Sequence, residues 1–246
     1  MKSLYHTFLY QPILGALVFI YNSLAFGDLG LAIIILTIVI RIVLFPLLYK
    51  GAKQQALMQK IQPKLKEIQE KHKDNKERQA MELMALYKKH KINPFSSILS
   101  LFIQIPILIA IYQVLLKEAG GAIFDNFLFL GFINLREINL VIAVIAAVFQ
   151  YIQIKMSMPK NTGGKNENPM AGMSKAMLYI GPGLTLLFLS RFPAALGVYW
   201  LTSTVFGIGQ QVLINKSIRK EEEKEMGKEV KEELQEIHED IEKQEK

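Results

Sequence analysis

An apolar run from Leu29 to Leu48, LGLAIIILTIVIRIVLFPLL, carries one charge, Arg41. Roughly 20 apolar residues cross a bilayer core, so the run reads as a transmembrane helix. A guanidinium near the middle of a span costs about 2.5–3.5 kcal/mol on insertion scales. Arginine does not relieve that cost by losing its proton, because its pKa lies above about 12. A charge kept on these terms faces a wet cavity or a polar partner, or else it snorkels to a headgroup. Leu48 lies seven residues beyond Arg41, about 10 Å of rise, so snorkelling is only partly available and the cavity is the preferred reading. Thr37, one turn earlier, shares the helix face of Arg41.

The other apolar residues, 51% of 246, are also gathered in blocks. The fold class is therefore an all-α polytopic membrane protein with soluble appendages. Without cysteine, disulfides, thiol catalysis and cysteine-based metal sites are excluded. His6, His72, His90 and His238 stand apart and have no metal-ligand spacing. The stretch MKSLYHTFLYQPILG has no small-residue cleavage site, so neither a removed signal peptide nor a transit peptide is expected.

Taken in order, residues 1–28 are expected to hold an interfacial helix, entered at Gln11-Pro12; the rival reading is a sixth span. Span one covers 29–48. Residues 49–95 read as a cytoplasmic antiparallel helical hairpin with twelve Lys and Arg against five acids. Its apolar seam runs through Leu57, Ile61, Leu65 and Ile68, then Met81, Met84, Leu86 and Tyr87. Pro63 restarts or bends the first arm, and Lys73-Asp74-Asn75 makes the turn. Span two covers 96–116, an extracytoplasmic loop 117–137, span three 138–157, and a cytoplasmic loop 158–174. Span four, 175–190, is expected to be broken at Gly181-Pro182-Gly183. After the tight turn Arg191-Phe192-Pro193 comes span five, 193–215, an antiparallel neighbour of span four. A charged tail follows, 216–246, with a thin stripe from Met226 to Ile241.

Five spans place the termini on opposite sides. The hairpin, the 155–175 region and the tail hold 24 of the 29 Lys and Arg. By the positive-inside rule that side is cytoplasmic, and the N-terminus is outside.

Polar side chains inside the spans include Thr37, Arg41, Gln104, Gln113, Gln150, Gln153, Thr185, Thr202, Ser203, Thr204, Gln210 and Gln211. Bonding to neighbouring helices accounts for most such residues. No Asp or Glu falls in any expected span, which argues against a proton relay or cation pump. No phosphate-binding glycine loop, nucleophile set or metal cluster is present either, so no enzyme and no cofactor are expected. A lone positive charge in a polar recess would attract acidic or polar segments and lower the cost of bringing them partway into the membrane. That design suits insertion of other proteins; composition equally allows an anion channel.

Four ordered stretches carry a resemblance: GLAIIILTIVIRIVLFPL, QPKLKEIQEKHKDNKERQAMELMALYKKHKINP, IQIPILIAIY and FPAALGVYWLTSTVFGIGQQVLI. Over nearly all of residues 10–218 the chain resembles the YidC-type membrane protein insertases, the YidC/Oxa family, in a minimal five-span form without a large periplasmic domain. The resemblance implies five spans around a hydrophilic groove that is open to the cytoplasm and lipid. The family's groove arginine falls on Arg41, its groove threonine on Thr37, and its substrate-contacting aromatic pair on Tyr199 and Trp200. Gln104, Gln150 and Thr204 complete the expected lining. The family's substrate-receiving hairpin falls on residues 50–92. Nascent membrane proteins are the implied substrates, inserted alone or beside the Sec translocon, with the ribosome and the signal recognition particle pathway as further partners. The implied site is the bacterial cell membrane, and no DNA is bound. The runners-up are a small anion channel using Arg41 for selectivity and an assembly chaperone.

Two departures qualify this. Many members carry Gly-Gly-Cys and a proline where this chain has Ser96-Ser97-Ile98-Leu99-Ser100. The family's ribosome-binding tails are strongly basic, whereas this tail has eight basic and twelve acidic residues. The hairpin is thus the better candidate to meet ribosomal RNA, through salt-sensitive phosphate attraction.

Overall fold

The computed structural model describes residues 5–93, 105–115, 123–158 and 169–244. A π-helical turn, His6–Tyr10, runs into α1, Gln11–Ser23. Helix α2 spans Leu29–Lys60, α3 Gln62–Lys71 and α4 Lys76–Lys89. Next come α5, Ile105–Leu115, and two short antiparallel strands, β1 at Leu128–Phe129 and β2 at Ile133–Asn134. Helices α6, Leu140–Ser157, α7, Pro169–Leu189, and α8, Ala194–Gln244, complete the chain.

Among the described residues two helices are long and apolar enough to cross a membrane, Leu29–Met58 and Leu140–Ser157. Only 28% and 22% of their apolar windows are buried, whereas the core helix of a soluble protein would be mostly buried. The chain is an all-α membrane protein.

Several helix starts have a local cause. Asp28 precedes α2 and its carboxylate accepts from the Leu31 N–H at 2.9 Å, taking up an unpaired donor of the first turn. Asn139 does the same for α6 through Ile142, and Asn75 for α4 through Arg78. Pro63, in the first turn of α3, restarts the chain after Ile61, as the sequence suggests. The expected break in span four does not occur: α7 continues through Pro182. Gly181 lies where a Cβ would stand 2.8 Å from Ile154 of α6, so close helix packing, not a hinge, is its role.

The sequence reading leaves only Gly27 and Asp28 to link the first apolar piece to α2. Helix α1 ends at Ser23, so five residues make this turn, with Phe26 and Gly27 at φ 52° and 76°. That length lets α1 lie alongside α2, where Ile13 and Leu17 share a small apolar space with Ile33, Leu36 and Thr37.

Helix α8 packs against both α2 and α6, and α7 packs mainly on α6. Although a tight turn joins them, α7 and α8 touch only sparsely; α6 stands between them. The main core gathers at the end of the bundle that carries the strands. There Leu17, Leu29, Ile33, Phe124, Leu135 and Leu196 are fully buried. Leu135 and Glu137 carbonyls accept from the Ala195 and Ala194 N–H groups, tying the loop to the start of α8. Beyond Thr37 the same helix opens: Ile42 and Val43 are 58% and 71% exposed. At the opposite end, Ile61, Leu65 and Ile92 form a separate small core with Leu83, Leu86 and Tyr87.

Candidate functional site

Arg41 lies half-buried on α2, and its guanidinium reaches across to α8. Its Nε donates to the Ser203 hydroxyl at 2.9 Å, and a terminal nitrogen donates to the same oxygen. Tyr199, one turn before Ser203, is 3% exposed. Spacing of four puts Tyr199 and Ser203 on one face of α8. A serine hydroxyl satisfies N–H groups without cancelling charge, so the pair holds the cation in place and leaves its field intact.

Thr37 sits a turn above Arg41 and is buried to 1%. Its hydroxyl donates back to the Ile33 carbonyl at 2.6 Å. Its hydroxyl is thereby satisfied within its own helix.

A second cluster joins three helices. The side-chain oxygen of Gln150 on α6 accepts from the Thr185 hydroxyl of α7 at 2.7 Å and from the Trp200 indole N–H of α8 at 2.8 Å. Phe188 packs on Trp200 with ring centroids 5.8 Å apart. Thr204, one turn on, donates to the Trp200 carbonyl at 2.8 Å. Further along, Gly207 lies directly against the amide of Gln153, and Asn215 donates to the Met156 carbonyl at 3.3 Å. A line of amides thus continues along the α6–α8 seam away from the packed end.

Of the residues singled out from the sequence, Gln150 and Trp200 come together, and Arg41 reaches Ser203 on the α8 face that carries Tyr199. Thr37 and Thr204 spend their hydroxyl protons on their own helices. Gln104 lies outside the described residues. Ser203 is the residue that sequence reasoning passed over. It stood among the polar span residues, four after Tyr199, but nothing in sequence singled it out as the partner of Arg41. Among the described residues no group of His, Asp and Glu is arranged to hold a metal ion.

An arginine set in a long apolar helix and held by a neutral partner, beside an amide-lined seam, describes a membrane protein with a positive charge among its apolar helices. Comparison with known proteins makes this narrower. The family described as 60Kd inner membrane protein matches residues 19–223. A membrane protein insertase YidC of Syntrophus aciditrophicus is 36% identical over 209 residues, 84% of this chain and 36% of that protein. A membrane protein insertase YidC 2 of Bacillus anthracis is 34% identical over 206 residues, 82% of this chain and 77% of its own length. One from Oceanobacillus iheyensis is 36% identical over 191 residues, 76% of this chain and 74% of the relative. The chain belongs to this family of inner membrane proteins, the YidC/Oxa family that its motifs resemble. It spans little more than a third of the Syntrophus protein and about three quarters of the two others.

Proposed function

We propose that this chain is a membrane protein insertase, which moves nascent membrane proteins from the cytoplasm into the bilayer. Five spans enclose a hydrophilic groove open to the cytoplasm, with the N-terminus outside and the hairpin and tail inside. The observation that carries this reading is the Arg41–Ser203 pair: a full positive charge held half-buried by a partner without charge. In a low-dielectric surrounding such a charge draws polar or acidic segments more strongly than it would at a surface.

In the proposed sequence the basic hairpin of α3 and α4 receives a nascent segment. Arg41 draws its hydrophilic end partway into the groove, past Tyr199 and the amides of the α6–α8 seam. The apolar part then leaves sideways into lipid along the exposed faces of α6 and α8. No bond is made or broken, so the step needs no catalytic group, and insertion proceeds alone or beside the Sec translocon. Ribosomes and targeting factors meet the hairpin; the tail, net acidic by four charges, repels RNA.

The test is reconstitution of the purified protein in liposomes, with a single-span substrate translated in their presence and insertion scored by protease protection. Arg41→Ala and Arg41→Lys are measured alongside. Protection that depends on the protein, falling most for acidic translocated tails in Arg41→Ala, is the expected result. No protection above empty liposomes, from correctly oriented protein, would overturn the reading. Ion flux without substrate would favour a channel.

A further inference from the structure

Among the described residues, two of the three non-glycine residues with positive φ are Phe26 and Leu130, both at 52°. Turns that need this left-handed conformation ordinarily use glycine, asparagine or aspartate, because a bulky side chain crowds its own backbone there. Both strained residues point large apolar groups outward: Phe26 is 94% exposed and Leu130 61%.

One carboxylate holds the two turns together. Asp28 accepts from Leu31 with one oxygen and from the Leu130 N–H with the other, at 2.8 Å. The strands fix the rest of the tip. Phe129 and Ile133 pair across the ladder and pack toward the core, and Phe129 lies directly on Gly30. Alternation along β1 sends Leu128 the other way, and in the turn that follows Leu130 also stands exposed. Phe132 is 73% exposed, and Leu24, beside the first turn, 51%. Single exposed apolar residues are ordinary, but a cluster held out by two strained turns is not.

The hairpin leads along the chain into an exposed apolar helix surface. After five residues beyond β2 the chain enters α6, whose Leu140 and Val141 are 60% and 68% exposed on a helix apolar enough to span a membrane. The segments that flank the hairpin are polar: Asp125, Asn126, Arg136 and Glu137 are exposed, and the Arg136 guanidinium sits 3.6 Å over the Phe127 ring. Apolar tips flanked by polar groups and a stacked arginine form a surface suited to the boundary between acyl chains and headgroups.

We propose that Phe26, Leu130 and Phe132 form a lipid anchor that dips into the leaflet at the strand-bearing end, fixing the depth of the bundle through Asp28. The inference assumes that α2 and α6 cross the bilayer. Because the native chain has no cysteine, single cysteines at 26, 130 and 132 can each carry a nitroxide. The labelled protein is reconstituted in phosphatidylcholine–phosphatidylglycerol vesicles. Collision with oxygen, which concentrates in acyl chains, is compared with collision with a neutral nickel chelate, which stays in water. Both reagents permeate, so the orientation of the protein does not matter. Val141→Cys reads the assumption about the span separately, and Asp74→Cys, in the exposed hairpin turn, is the aqueous reference.

The expected result is an oxygen-to-nickel ratio at 26, 130 and 132 several-fold above that at 74 and approaching that at 141. Ratios equal to that at 74, with 141 lipid-like, would place the tip in water and overturn the anchor. Immobilised labels shielded from both reagents would show protein covering the tip, and would overturn it as well. All three positions are exposed, so substitution leaves the core intact.

Discussion

The indole N–H of Trp200 donates to the side-chain oxygen of Gln150 at 2.8 Å, and this is the bond that fixes the ring between α6 and α8. The same oxygen also holds Thr185, so a single acceptor serves two donors from two other helices. Gln150→Leu keeps the bulk and strands both donors. Hydrogen bonds between membrane helices average about 0.6 kcal/mol, with a maximum near 1.7. The variant should lose about 1–2 kcal/mol in detergent unfolding, and Trp200, the one tryptophan, should report it by a shifted emission. Trp200→Phe removes only one donor and should cost less. Strict additivity in the double variant would show that the two residues are not coupled.

At the strand-bearing end the contact between Phe129 and Gly30 leaves no room for a methyl group. Gly30→Ala should displace the hairpin and cost about 1–3 kcal/mol, the usual penalty of overpacking. Gly15→Ala, where nothing lies within 4 Å, should be neutral or stabilising. Equal melting temperatures for the two variants would refute the close packing.

Charge and hydrogen bonding at Arg41 can be separated through its partner. Ser203→Asp keeps an acceptor and cancels the field; Ser203→Thr keeps both hydroxyl and field. Insertion of a substrate with an acidic tail should fall roughly tenfold in the first, equivalent to about 1.4 kcal/mol of lost attraction. The second should match the wild type. If Ser203→Asp inserts normally, the charge is not what acts on the substrate.

On the hairpin, the Asn75 side chain caps α4 by accepting from the Arg78 N–H at 2.9 Å. Asn75→Ala should weaken that helix by about 1 kcal/mol. Hydrogen exchange should quicken in the first turn of α4 and stay unchanged in α6.

The helices were legible because their causes are local. Pro63, Asn75, Asn139 and the apolar runs each act within a turn or two of their position in the chain. The hairpin seam was only half legible: Leu83, Leu86 and Tyr87 face inward, whereas Met81 and Met84 are 60% and 61% exposed. At 3.6 residues per turn one stripe cannot take in 81 and 84 together with 83, 86 and 87. The residues of the site were visible as polar positions in apolar helices, but their pairing was not. Arg41 and Ser203 are 162 residues apart, and only the way α8 rotates against α2 brings them together. Gly-Pro-Gly misled for a similar reason: whether a helix kinks depends on its neighbours, here Ile154, as much as on its own sequence.

Helix α8 runs without interruption from Ala194 to Gln244, 51 residues, which at 1.5 Å per residue is a rod about 75 Å long. Ser203 and Tyr199 stand in its first three turns, and the acidic tail is its far end. Such a rod makes one piece of two distant places: the residue on which the arginine rests and the acidic tail belong to a single helix, with no loop between them.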